Sequence, residues 1–143
     1  MTPVVSFTVR GIPQSQGSKR AFIPRGSKRA VVTESNKKLK PWRTQVTEEA
    51  SEAYSGQPLT GPVALRCVFY FQRPASHTKA KRACPWVQTK PDWEKIARGV
   101  GDALTGIIWR DDSQVAYAVV EKRYAEGEHL PGVEVTISEL TEG

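Results

Sequence analysis

The chain has 143 residues, enough for one compact domain with a buried core and short for two; 38% hydrophobic and 25% charged residues are ordinary for a soluble globular protein. That balance excludes global disorder, and no apolar run approaches the roughly 20 residues needed to cross a bilayer. With 21 basic and 15 acidic side chains the formal net charge is +6, a sign that favours a polyanionic partner through phosphate contacts and counterion release.

In chain order, Val5, Phe7 and Val9 alternate with Ser6, Thr8 and Arg10, the period-two pattern of a half-buried first strand. That opening carries no charged stretch followed by an uninterrupted apolar core, so a secretory signal is not expected and a cytoplasmic place is. A loop punctuated by Gly and Pro follows, and residues 21–24 and 30–34 read as a hairpin that lifts Lys19, Arg20, Arg25, Lys28 and Arg29 on a basic arm. Pro41 suits the first turn of a helix whose apolar face is Trp42, Val46, Ala50, Ala53 and Tyr54, ended by Ser55, Gly56 and Pro58. Residues 63–71, apolar and rich in β-branched and aromatic side chains, predict a buried central strand. Residues 73–90 read as a long basic loop. Trp93, Ile96, Ala97, Val100 and Leu104 mark one apolar face of a second helix that packs in the core, with Gly106 closing it. Val115, Tyr117 and Val119 alternate as a strand, and Val133, Val135 and Ile137 form the last one. These elements predict an α+β fold in which one domain, residues 1–143, has two main helices packed on a small mixed sheet. Cys67, Cys84, His77 and His129 stand at no metal-ligand spacing; the cysteines are expected as reduced thiols and the histidines in surface loops.

The informative stretch is residues 90–114, which gathers five acidic side chains in a basic protein. Each of Asp92, Glu94, Asp111 and Asp112 would repel a phosphate, and a divalent cation removes the contradiction, because hard cations prefer carboxylate oxygens. Taken singly, each acid also has a local use. Asp92 can cap a helix, Glu94 can favour its first turn, and Asp111 with Asp112 can make a turn before a strand. Glu94, Arg98 and Asp102 follow at steps of four, close enough to interact along the helix.

The segments Pro91-Asp-Trp-Glu-Lys-Ile96, Asp102-Ala-Leu-Thr-Gly106 and Asp111-Asp-Ser-Gln-Val115 resemble the signature of the RusA family of Holliday-junction resolvases. Residues 11–20 and 34–42 resemble its phage and prophage members. The resemblance implies a RusA-like fold and a homodimeric, magnesium-dependent endonuclease, with manganese as a substitute, that nicks four-way DNA junctions symmetrically in recombination and repair. It implies that Asp92, Glu94 and Asp112 bind the metal and that Arg98 takes the place of a functionally important lysine. Glu94 stands where Asp is usual, and Arg98 is larger, planar and permanently charged.

Two other functions remain open beside that one: a junction-binding protein with an impaired metal site, and a metal nuclease of flaps or other branched DNA. Pro91-Asp92 could also begin a PD-(D/E)xK element, but the pattern does not complete, because Val120 stands two residues before Lys122. Lys19, Arg20, Lys28, Arg29, Lys79, Lys81 and Arg82 are the candidate phosphate contacts, which select the shape of a junction over its sequence. If about six are engaged, a binding titration should give a log-affinity against log-salt slope of about −5. A flat response contradicts this.

Overall fold

A central sheet of four strands orders the molecule as β1-β6-β4-β5, where β1 is Pro3–Arg10, β4 Val63–Phe71, β5 Val115–Tyr124 and β6 Gly132–Glu139. The computed structural model describes residues 2–16, 19–22, 25–26, 31–34 and 36–141, with backbone alone at 19–22 and 31–34. β1 pairs β6 and β6 pairs β4 antiparallel, whereas β4 and β5 run parallel, so the sheet is mixed. Two helices, α1 (Leu39–Ala53) and α3 (Trp93–Leu104), pack on one face, giving the expected α+β domain. A one-turn helix, α2 (Lys79–Arg82), interrupts the segment expected to be loop throughout. β2 (Lys19–Phe22) and β3 (Val31–Glu34) form a separate antiparallel pair, the expected hairpin with its first strand two residues earlier. Among the described residues no helix is long and apolar enough to cross a membrane.

The period-two patterns of β1 and β6 translate directly into burial. Val5, Phe7 and Val9 face Val133, Val135 and Ile137, and Leu65, Cys67 and Phe69 of β4 continue the layer beneath Val46, Ile96, Val100 and Leu104 of the helices. β4 is hydrogen-bonded on both sides and buried almost throughout, as its unbroken apolar run predicts. Burial pushes the Cys67 thiol up to about 12, which keeps it inert in the core. Cys84 is exposed, and both thiols are free.

Two expectations change for physical reasons. β5 does not alternate as Val115, Tyr117 and Val119 on one face, because the register slips where Val63 opposes Val115 but Ala64 opposes Tyr117. The extra residue flips the later strand: Ala118, Val120 and Lys122 lie on the helix side, while Tyr117, Val119, Glu121 and Arg123 join the uncovered face. There Arg66 and Arg123 both donate to Glu121, at 2.8 and 2.9 Å. Hydrogen bonding from Arg123 holds the Glu121 carboxyl below the usual carboxylate range, against burial. Trp93, placed by periodicity in the core stripe, is 61% exposed, whereas Ile96 three residues later is fully buried.

Arg73, just after β4, is 7% exposed and organises the basic segment behind it. It donates to Lys81 O and Cys84 O at 3.0 and 2.9 Å, pairs with Glu126, and lies 4.1 Å over the Tyr124 ring. Arg82 donates to the carbonyls of His77 and Ala75. Pro85 and Val87 bond along the outer edge of β5, at Tyr124 N–H and Lys122 O, so this edge is covered. His77, expected in a surface loop, is half-buried with its edge against Tyr124; exposed His129 stacks on Tyr70.

Gly132 opens β6 at φ +152°, and a Cβ there would stand 2.1 Å from Val9 O. Gly132→Ala should therefore cost about 3 kcal/mol or more. Gly127→Ala, left-handed but with nothing within 4 Å, should cost only about 1 kcal/mol. Urea unfolding of the two variants checks this, and equal midpoints would refute it.

Candidate functional site

α3 crosses from β4 to β5, and its two ends receive different chemistry. Its start is Asp92, at the N-cap position in extended conformation, yet the side chain makes no capping hydrogen bond. The carboxylate is thus left for another use, which the sequence could not distinguish from capping. One turn in, Glu94 and Arg98 form an i,i+4 ion pair with side chains 61% and 50% exposed. Asp102 does not continue that row; it pairs with Arg43 of α1 at 3.9 Å and serves helix packing.

The chain turns back at Gly106, φ +89°, and buries Ile108 and Trp109 completely. This makes a short return segment between α3 and β5. It is fastened by Leu59 N–H to Ile108 O at 2.7 Å and by Trp109 Nε1 to Thr105 Oγ1 at 3.1 Å. The adjacent acids then separate in role. Asp111 accepts from Ser113 N–H at 2.9 Å and caps a 3₁₀ turn, Asp112–Gln114. Gln114 accepts from Asp111 N–H at 2.9 Å and donates to Leu59 O and Gly61 O. The Ser113 backbone bond is the main cause holding the Asp111 carboxyl below the usual range. Asp112 is not the capping residue; its side chain is a lesser cause of that lowering, and it stays exposed.

Glu94, Arg98 and Asp112 line one hollow of about 230 Å³, with Trp93 at its rim and Leu65, Trp109 and Val115 among its apolar walls. Asp92 stands at the other end of α3's first turn, beside Lys122 of β5. Among the described residues no three His, Cys, Asp or Glu side chains form one metal-holding group. Glu94 and Asp112 therefore share the hollow, and Asp92 lies outside its lining. The donor chemistry nevertheless suits a hard divalent cation, because all three are carboxylates and neither Asp92 nor Asp112 is committed to a cap. Glu94 would have to release Arg98 to act as a ligand.

Lys122 is the residue that sequence reasoning passed over. Its Nζ donates to Thr89 O at 2.6 Å, and burial lowers its pKa while the Asp92 charge works against that. The motif test failed at Val120, but the bulge in β5 turns Lys122 to the helix side and supplies a cation to Asp92 by another route. Trp93 was also missed as a residue lining the hollow, and its helical spacing with Ile96 and Val100 pointed to the core instead.

The basic residues divide as well. Lys79, Lys81 and Arg82 lie on exposed α2, with Arg82 partly committed to its own loop. Lys19 and Arg20 are in β2, whose side chains are outside the described residues, as are Lys28 and Arg29 altogether. The root of the arm is fixed at the site: Gln16 N–H donates to Lys95 O at 3.0 Å, one residue from Glu94, and Asn36 Nδ2 donates to Ser15 O at 2.8 Å.

The family whose sequence model is described as "Endodeoxyribonuclease RusA" matches residues 13–138. The chain is also 34% identical over 144 residues to "Uncharacterized protein YqaN" of Bacillus subtilis (strain 168), covering 96% of this chain and 97% of that protein.

The division between Asp111 and Asp112 has a stability signature. A carboxyl with a lowered pKa stabilises the fold above its unfolded value, and the benefit is lost as pH falls through the folded value. Asp111→Ala should lower the melting temperature at pH 7, with the gap to wild type closing in acid. Asp112→Asn should leave the neutral-pH melting temperature unchanged or raised. A larger loss in Asp112→Asn would reverse the assignment.

Proposed function

The chain belongs to the RusA endodeoxyribonuclease family, and on that premise we propose that it is a divalent-metal-dependent nuclease resolving four-way DNA junctions by paired, symmetric nicks. The observation that carries this is the hollow under α3, where Glu94, Arg98 and Asp112 meet although 18 residues separate the two acids in sequence. Asp92, Glu94 and Asp112 are the proposed ligands of magnesium, or of manganese in its place. When bound, the ion would polarise the scissile phosphate and lower the pKa of a water.

The chain's own groups do the rest. Arg98, four residues from Glu94, is placed to exchange its carboxylate partner for a phosphate oxygen and to hold charge that develops on it. Lys122 fixes the approach to Asp92 by bonding Thr89 O and adds a second cation at the same end of the helix. Leu65, Trp109 and Val115 keep one wall of the hollow apolar, which limits water and strengthens the polar contacts beside it. The arm rooted beside Lys95, together with α2, supplies positive charge for the arms of the junction.

Paired nicks require two equivalent sites, and a two-fold junction suits an isologous homodimer. The proposed setting is the cytoplasm of a bacterial or phage-infected host cell. The Glu94–Arg98 ion pair favours a second reading, a junction-binding module in which Arg98 occupies the charge position of the metal and cleavage is weak.

One experiment separates the readings. An immobile four-way junction, a flap and a linear duplex are incubated with and without magnesium, and both binding and nicks are mapped for wild type, Asp92→Asn and Asp112→Asn. Wild type should cut the junction in symmetric pairs. Both variants should bind as tightly or more tightly, because repulsive charge is lost, and cut at least about 100-fold more slowly. Binding without nicks in wild type supports the module, and flap-only cutting redirects the substrate. Undiminished cleavage in both variants removes the assignment.

A further inference from the structure

A second hollow lies between α2, the segment that follows it and the end of β5. Its volume is about 320 Å³, the small end of ligand-sized pockets, and His77, Lys81, Trp86, Gln88, Thr89 and Tyr124 are among its walls. No lining residue carries a carboxylate. Thr89 belongs to this wall and its carbonyl accepts the Lys122 bond, which links the hollow through Lys122 to Asp92.

The two large rings are held before any ligand arrives. Arg73 lies over Tyr124 at 4.1 Å, and Arg123 lies over Trp86 at 4.3 Å. Each guanidinium is itself fixed, Arg73 by Lys81 O, Cys84 O and Glu126, and Arg123 by Glu121. Neither arginine lines the hollow, so the cations brace the rings from elsewhere. Trp86 nonetheless remains 48% exposed, and it is held to β5 by its bridge to Arg123. His77 Nδ1 lies 3.1 Å from Arg73 Nη1 and must accept, because a guanidinium only donates. The neutral ring then carries its proton on Nε2. Gln88 adds an amide with both donors and an acceptor.

Pre-set aromatic rings, a few convergent donors and acceptors, and a flanking lysine match a planar heteroaromatic ring attached to a phosphate chain. We infer that this hollow receives one unpaired nucleobase of the DNA strand whose backbone passes Asp92, stacking it against Trp86. The inference rests on the nuclease reading and extends it: a base must leave its stack to enter, and a branch point offers such bases at less cost than a continuous duplex. Trp86 is then a specificity residue, and Gln88 reads the base edge.

The test is a double-mutant cycle between protein and DNA. Four-way junctions carrying a single abasic nucleotide at each position near the nick are titrated in EDTA with wild type, Trp86→Ala and Trp86→Phe, and nicks are mapped separately in magnesium. One abasic position should weaken wild-type binding about tenfold and Trp86→Ala binding hardly at all, with Trp86→Phe restoring most of the effect. Gln88→Ala, at an exposed position outside the core, should keep that coupling but level the preference among the four bases. Junctions that are bound and cut with no abasic position coupled to Trp86 overturn this inference and leave the nuclease reading standing. A wild-type protein that neither binds nor cuts branched DNA overturns both.

Discussion

Parallel strands cannot be joined by a tight turn, and the pairing of β4 with β5 is the constraint on which the rest of the molecule depends. It obliges the chain to leave the end of β4, cross the sheet face and re-enter beside the start of β4 before it can begin β5. The crossover is α3, and its 12 residues span about 18 Å. Asp92 is consequently fixed at one end of the helix, with Lys122 arriving there from the far end of β5. Asp112 enters near the other end, where it lines the same hollow between helix and strand as Glu94 and Arg98. Close pairing of β4 with β5 and burial of Val100, Leu104 and Trp109 make this placement rigid.

The segment between β4 and α3 depends on a different device. Residues 74–90 have little apolar surface to bury, so propensity alone would leave them as loop. Arg73 supplies the missing order by satisfying backbone carbonyls of the segment and stacking on Tyr124. A buried guanidinium with one carboxylate partner and several carbonyl acceptors is well compensated, because its donors are matched as well as its charge. The consequence is ordered geometry in a region of low hydrophobicity: two braced aromatic rings and a lysine-bearing turn around one hollow.

The residues of the proposed site were legible as letters because they carry local signals. Asp92, Glu94, Arg98 and Asp112 stand out as charges in a pattern, and the basic arm stands out as a run. Their grouping was not legible in the same way. Asp111 and Asp112 are indistinguishable as letters, and the difference between them arises from Gln114, which closes the cap on Asp111 and reaches Leu59 and Gly61. Lys122 was discounted because Val120 stands where that motif needs an acid, and this spacing lies wholly beyond the slip at Val63 and Ala64. What the letters could not show is that Lys122 reaches the charge of Asp92 at the start of α3. Trp93 fitted a helical stripe by spacing, yet it lies 61% exposed at the start of α3, and the buried part of the stripe begins at Ile96.

The amino-acid sequence by itself determined the order and kind of the main elements, the apolar faces of β1, β4, β6 and both long helices, and the identity of the acids, because each of these follows from residue type at short-range periodicity. Only the tertiary structure decided which strand β5 would join and in which direction, which of two neighbouring aspartates would be left outside the cap, that Lys122 would feel the charge of Asp92, and that Trp86 would be braced by Arg123. Those outcomes depend on pairings between residues tens of positions apart, set by the register of one parallel strand pair and by one buried arginine, and no local pattern encodes either.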